Sequence, residues 1–249
     1  MTKTENVQYI EYERPVLPKI SFMIIGIPDA GLVGEIATEY LIRTLNMKEI
    51  GEIDVKSNSL LVVNVNNGIS KSPIRVFHTG NIVAVNSWSP IPQELIIPIT
   101  EKLLETSQLL GVTETISITG LPVQNRLDIQ SPSLYWIASS KLLASSLEKL
   151  DSIKKFDEGY IVGPYAGILL ESRRRNISNL VITAESFLDL PDPEAAAASL
   201  NFLSYYTGTK IDVEQLLKEA EDVRAKIKEL MSQTRKQIVN YQQRPFTYA

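Results

Sequence analysis

Few side chains in this 249-residue sequence could do chemistry, and their types and spacing narrow what that chemistry could be. Cysteine is absent, which excludes thiolate nucleophiles, Cys-ligated zinc and disulfides. The one histidine, His78, lies in "SPIRVFHTG", where strand alternation puts it on the face of Ile74 and Val76. That position predicts a buried, hydrogen-bonded imidazole rather than a catalytic one, and no second histidine is present to complete a metal pair. No G-x-S-x-G nucleophile elbow occurs. "ESRRRN" sets Glu171 beside Arg173, Arg174 and Arg175, a group able to clamp a phosphate or carboxylate. Three consecutive helical residues fan around the axis, however, and near a helix C-terminus arginines also complement the dipole. Glu185, Asp189, Asp192 and Glu194 gather in "TAESFLDLPDPEAA", where carboxylates could hold Mg²⁺. Asp192-Pro193-Glu194 reads equally as an N-cap, Pro at N1 and an acidic first turn, and capping accounts for most of the cluster. No metal, cofactor or catalytic residue is expected from these groups.

"GIPDAGLVGE" follows a strand and opens a helix, the usual place for a nucleotide-binding loop. Its glycines, Gly26, Gly31 and Gly34, have neither the G-x-G-x-x-G spacing of dinucleotide folds nor the Lys-Ser/Thr of a phosphate loop, since Leu32-Val33 stand there instead. Asp29 suits an N-cap better than an anionic ligand. The turn therefore predicts close helix–sheet packing through Gly31 and Gly34. A second turn, "PYAGIL" at 164–169, echoes "PDAGLV" at 28–33.

The elements that hold these groups alternate. "ISFMIIGI", "LLVVNVNNG", "SPIRVFHTG", "IVAVN", "ETISITG", "GYIVG" and "NLVITAES" read as strands, with "NNG" as a hairpin turn. "AGLVGEIATEYLIRTL", "PQELIIPITEKLLETSQLLG", "SLYWIASSKLLASSLEKL", "YAGILLESRRRN" and "DPEAAAASLNFLSYYTG" read as helices, the second one interrupted at Pro98 and the last closed by Gly208. The pattern predicts an α/β three-layer sandwich with a mixed, largely parallel sheet, antiparallel in part over 60–86. Residues 1–18 read as an N-terminal arm, 19–210 as the α/β domain, 211–241 as a long helix and 242–249 as a flexible tail. With 44% hydrophobic and 22% charged residues the composition is globular, and no apolar run reaches bilayer length. A net charge of −4 and a pI near 5.3 argue against nucleic acid as a partner. A cytoplasmic protein with neither a nucleic-acid nor a membrane partner is expected.

The strongest periodicity is C-terminal. Val213, Leu216, Ala220, Val223, Ile227 and Leu230 recur at three- and four-residue steps, a heptad seam after a capping start at Asp212 and Gln215. Such a helix can pack on its own domain, on helices of other subunits, or both; the sustained heptad favours an oligomerisation role and a homo-oligomer. Pro245 ends helix at Arg244 and releases Phe246, Thr247, Tyr248 and Ala249 as a short tether carrying aromatics and a carboxylate, a peptide-docking combination.

"GIPDAGLVGEIATEYLI", "GLP" at 120–122, "GPYAGILLE" and "LPDPEAAAASL" resemble, in order, signatures of the proteasome assembly chaperone 2 family and its archaeal homologues. The resemblance spans about residues 18–206. It implies a three-layer α/β domain related in fold to nucleoside phosphorylases, without established catalytic activity, and a role in assembling or binding the proteasome core particle. It also implies a use for the tail. Partners of this kind often end in hydrophobic–Tyr–any residue, whose carboxylate meets a lysine between α-ring subunits. Tyr248 and Ala249 match the last two positions; Thr247 departs from the first, with Phe246 one place earlier. The competing expectation is an enzyme acting on a nucleoside or small phosphorylated ligand through the 26–35 turn and the 171–175 arginines.

Overall fold

The computed structural model describes residues 6–221. Numbered in chain order, the strands are β1 (Asn6–Glu11), β2 (Phe22–Gly26), β3 (Lys48–Lys56), β4 (Asn64–Asn66), β5 (Ile69–Lys71), β6 (Ile74–Thr79), β7 (Ile82–Ser87), β8 (Glu114–Pro122), β9 (Leu134–Ala138), β10 (Lys154–Lys155) and β11 (Asn179–Ser186). The helices are α1 (Val33–Thr44), α2 (Ile96–Leu110), α3 (Lys141–Leu147), α4 (Pro164–Arg175) and α5 (Pro193–Thr207), and a further helix starts at 214. Nine strands form one sheet in the order β1-β3-β6-β7-β2-β8-β11-β9-β10, while β4 and β5 form a separate hairpin.

Four central strands, β7, β2, β8 and β11, run parallel. Helices cover both of their faces, so β2 and the start of β7 are continuous apolar runs, while β8 alternates Ile116 and Ile118 with the small buried hydroxyls of Thr115, Ser117 and Thr119. Phe22 and Ile24 enter the core beneath α1 and α5; Met23 and Ile25 enter the one beneath α2 and α4. The sheet is less parallel than the sequence predicts. β1–β3, β3–β6, β6–β7 and β11–β9 are all antiparallel.

Several elements differ from expectation for identifiable reasons. The expected N-terminal arm contributes an edge strand, β1, whose residues Asn6–Glu11 pair with Lys56–Gly51. Its partner β3, "KEIGEIDVK", is too charged to stand out as a strand, yet it buries Ile50 and Ile53. None of "LLVVNVNNG" joins the nine-stranded sheet; its only strand, β4, pairs with β5 alone. "LYWIA" is the antiparallel strand β9 and not the start of a helix, which begins only at Lys141 with Ser140 as N-cap. "GYIVG" forms no strand. Pro98 does not interrupt α2, because it falls in the first turn, where its missing N–H costs nothing. His78 is only half-buried near the end of β6, its Nε2 3.1 Å from the Gly80 carbonyl oxygen.

Candidate functional site

All four family-like segments reach the same end of the sheet, where the parallel strands terminate: Gly26 ends β2, Pro122 ends β8, Ser186 ends β11, and α4 and α5 begin there. The chain leaves β2 through Gly31 (φ 64) and Leu32 (φ 50), two consecutive left-handed residues. Glycine tolerates this conformation freely; Leu32 is held in it at a cost of about 1–2 kcal/mol. The neighbouring loop supplies the restraint. Gly31 N donates to Leu188 O (3.3 Å), and Asp192 N donates to Gly31 O (2.8 Å). These bonds staple residues 187–192 across the turn.

The staple alters the role of Asp29. Because α1 starts only at Val33, the Asp29 carboxylate does not cap it; it accepts from Thr119 Oγ1 instead (2.8 Å). Gly34 then lets α1 reach the sheet, since a Cβ there would overlap the Ile118 carbonyl oxygen. Asn86 Nδ2 donates to Thr38 Oγ1 (2.7 Å) and Glu35 O (3.1 Å), which ties β7 to the same helix. The turn is thus a packing joint, as its spacing suggests.

The two echoing turns are different structures. Gly31 is left-handed in a 3-10 turn, whereas "PYAG" enters α4 directly with Pro164 at N1. A side chain that sequence reasoning passed over joins them. Tyr165 Oη donates to Ile27 O and accepts from Ile27 N, both at 2.9 Å, in a fully buried site. Burial raises the phenol well above its ordinary pKa, so it remains a neutral donor.

Arg126 was also invisible in the sequence. It is buried, with Nε 2.6 Å from Asp192 Oδ2, Nη2 2.9 Å from Asp192 Oδ1 and 2.8 Å from Glu194 Oε2, and Nη1 2.7 Å from Ile129 O. Asp192 caps α5 through Ala195 N (3.0 Å) as the sequence predicts, and it also accepts from Phe187 N (3.2 Å). Of the carboxylates considered for Mg²⁺, Asp192 and Glu194 are therefore committed to an arginine and a cap, and Glu185 accepts from Ser133 N (2.9 Å) and Tyr135 Oη (3.2 Å). Among the described residues, no group of three or more His, Cys, Asp or Glu could hold a metal ion.

The arginines of α4 do not converge on the Gly turn. Tyr165 fixes the start of α4 at that turn, and Arg173–Arg175 lie eight to ten residues on, roughly 12–15 Å along the axis. Arg174 pairs with Glu171, and Arg175 faces Glu101, Glu105 and Glu171. Arg173 is exposed on a different cleft, with Glu114, Ser140 and Ser178. Asp29, Gly31, Gly34 and the three arginines do not form one ligand site.

At the other end of the chain, Val213, Leu216 and Ala220 are buried, and Val213 and Leu216 belong to this chain's own core. Tyr40 Oη donates to Asp212 O (2.9 Å), and Arg43 lies 3.5 Å from Glu219. The seam residues Val223, Ile227 and Leu230 and the tail residues Phe246, Thr247, Tyr248 and Ala249 lie outside the described residues.

The fold has close counterparts. Pyrococcus furiosus PbaA, an archaeal homolog of proteasome-assembly chaperone, is 27% identical with a TM-score of 0.76, covering 93% of this chain and 99% of its own. Pyrococcus furiosus PbaB, an archaeal proteasome activator, shares the fold at 23% identity and a TM-score of 0.77, covering 90% and 98%. An uncharacterized protein of Methanocaldococcus jannaschii, MJ0106, is 27% identical over 239 residues, 93% of this chain and 94% of the relative. Residues 23–231 match the PAC2 family over most of the chain, and the glycine joint, the Pro-Tyr-Ala-Gly start of α4 and the Asp192 cap all fall within that match. This chain belongs to the PAC2 family.

Proposed function

We propose that this protein is a non-enzymatic binding protein that engages the proteasome core particle, as an assembly chaperone or an activator. The single observation carrying this reading is its likeness to PbaA over nearly the full length of both chains. The packing role of the turn and the pairing of Asp192 and Glu194 with Arg126 agree with a scaffold rather than a reaction site. The anchor is the terminal Phe246-Thr247-Tyr248-Ala249, whose aromatic side chains and carboxylate suit a pocket between α-ring subunits. The α/β domain is the scaffold, and the C-terminal helix, rooted on it through Val213 and Leu216, projects the tail. Self-association would present several tails to a ring and raise avidity through effective concentration.

The test compares core-particle binding by the full-length chain, Tyr248→Ala and a chain lacking 247–249, with peptide hydrolysis followed in the same samples. Binding lost in both variants supports the tail as anchor, and faster hydrolysis with the full-length chain makes it an activator. Equal binding by all three moves recognition to the α/β domain. No binding by any of them overturns the proteasome reading.

A further inference from the structure

Three asparagines hold a left-handed backbone: Asn46 (φ 47), Asn67 (φ 51) and Asn176 (φ 54). Asparagine also carries an amide carbon that the backbone nitrogen of the next residue can attack, closing a five-membered imide. Attack needs that nitrogen free and unobstructed. After Asn46 and Asn176 it is neither. Both follow helix ends, and the next N–H is bonded back to the helix: Met47 N donates to Ile42 O (3.0 Å) and Ile177 N to Ser172 O (2.9 Å). Asn58 is exposed, but Ser59 N donates to Ser57 Oγ (3.2 Å). Asn86 is buried, its amide held by Thr38 and Glu35. Asn67 differs at each point. It alone among the asparagines precedes a glycine, Gly68. Both residues are exposed in the turn beyond the last ladder pair, Asn66↔Ile69, and among the described residues the Gly68 N–H has no acceptor. A Cβ built on Gly68 would meet nothing within 4 Å, so the approach is open. The turn joins β4 and β5, a ladder of three residue pairs outside the main sheet. So small a hairpin is marginal in water and opens at far less cost than the domain, which frees the amide to reach the nitrogen.

We propose that Asn67 is a covalent modification site of the folded protein, converted to aspartate and isoaspartate without an enzyme. The Gly68 amide nitrogen loses its proton to hydroxide and attacks Asn67 Cγ. The new N–C bond forms, the Cγ–Nδ2 bond breaks, and ammonia leaves with a proton from water. Water then opens the imide: cleavage at Cγ gives aspartate, and cleavage at the Asn67 backbone carbonyl carbon gives isoaspartate. The balance is asparagine and water to acid and ammonia, with no oxidant or reductant. Glycine permits the step because no Cβ stands beside the attacking nitrogen. Either product adds one negative charge to a chain that carries −4. Isoaspartate also inserts Cβ into the main chain, so the two-residue turn no longer matches the strands and the Asn66↔Ile69 pair is lost. The exposed Val65 and Ile69 lie beside the new charge, while the nine-stranded sheet is untouched. The inference requires neither the proteasome reading nor the tail.

Ageing the full-length chain in mildly alkaline buffer tests it, with tryptic mapping against an unaged sample. Cleavage after Lys56 and Lys71 releases residues 57–71, which hold Asn58, Asn64, Asn66 and Asn67 in one peptide. Tandem mass spectrometry assigns the amide-to-acid mass gain within it, and isoaspartyl methyltransferase labelling identifies the isoaspartate. Asn67 is expected to convert at least about tenfold faster than Asn58, with Asn46 and Asn176 unchanged over the same period. Isoelectric focusing of the intact chain should show a growing band one charge more acidic, absent in Asn67→Gln. The same chain unfolded in urea gives the unhindered rate, and the folded rate is expected within about tenfold of it. A folded chain that keeps Asn67 while the unfolded chain loses it would show that the turn protects the amide, and would overturn the proposal. Equal conversion of Asn58 and Asn67, or an acidic band that persists in Asn67→Gln, would overturn it too.

Discussion

Two buried residues at the ends of the parallel strands carry unusually concentrated polar connections. Tyr165→Phe removes one hydroxyl but orphans both the N–H and the C=O of Ile27, and leaving buried polar groups unsatisfied costs about 1–3 kcal/mol each. A loss of about 2–4 kcal/mol in urea unfolding is expected; a loss below the measurement error would show that Ile27 finds other partners. Arg126→Ala leaves the Asp192 carboxylate buried without its cation, and breaking such a pair costs about 3–5 kcal/mol. The variant Arg126→Ala/Asp192→Asn should recover part of that loss, because the Asn side chain can still cap α5. Glu114 supplies a pH dependence. Burial raises its folded pKa above the 4.5 of the unfolded chain, opposed by hydrogen bonds from Tyr206 and Ser178. Between those two values the folded state holds the extra proton, so stability falls as pH rises through the window and levels off above it. Urea midpoints across this range should show that slope, flattened in Glu114→Gln; an unchanged slope would assign it elsewhere, with Glu35, also raised by burial, the next group to replace.

At the scale of elements, two glycines at close helix contacts, Gly34 in α1 and Gly167 in α4, differ in what they tolerate. A Cβ on Gly34 meets the Ile118 backbone oxygen, which cannot move without shifting β8, whereas on Gly167 it meets a methyl of Ile96 and the Thr100 side chain. Gly34→Ala is therefore expected to cost more than about 3 kcal/mol and Gly167→Ala about 1 kcal/mol, on the usual scale of overpacking. Thermal unfolding of both variants decides this, and equal losses would mean that α1 shifts on the sheet as easily as a side chain rotates. The joint was partly legible in the sequence. Glycines at 26, 31 and 34 after an apolar strand announced a close turn, and the missing lysine argued against a phosphate loop. Its staple was not legible, because the bonds from Gly31 to Leu188 and Asp192 join segments more than 150 residues apart through backbone groups, which every residue carries alike. β9 shows the converse error. "LYWIA" has the length and apolarity of either element, and only pairing with β11 makes it a strand.

For the whole molecule, the question is where the scaffold ends and the C-terminal helix begins. Leu216 is nearly fully buried in the core shared by α1 and α5, so Leu216→Ala should cost about 2–4 kcal/mol, the range for a core leucine. Chemical unfolding followed by the fluorescence of Trp88 and Trp136 would measure it. A negligible effect would make the helix an appendage rather than part of the domain. A heptad seam by itself cannot distinguish these cases, because the same apolar stripe serves a neighbouring subunit or the chain's own sheet; for Val213 and Leu216 the tertiary contacts select the chain itself.

The sequence by itself determined the α/β class, most of the helices, the Asp192 cap, the close packing of the first turn and the resemblance to the PAC2 family. All of these depend on local periodicity, capping chemistry or short motifs. Only the tertiary structure decided that β1 and β3 close one edge of the sheet, that Asp29 answers Thr119, that Arg126 occupies the acidic cluster, and that "LLVV" stands outside the sheet. Each of these is a choice among partners distant in the chain. Propensity and periodicity describe what a segment can do, but burial and hydrogen-bond satisfaction across the assembled fold select which partner it takes.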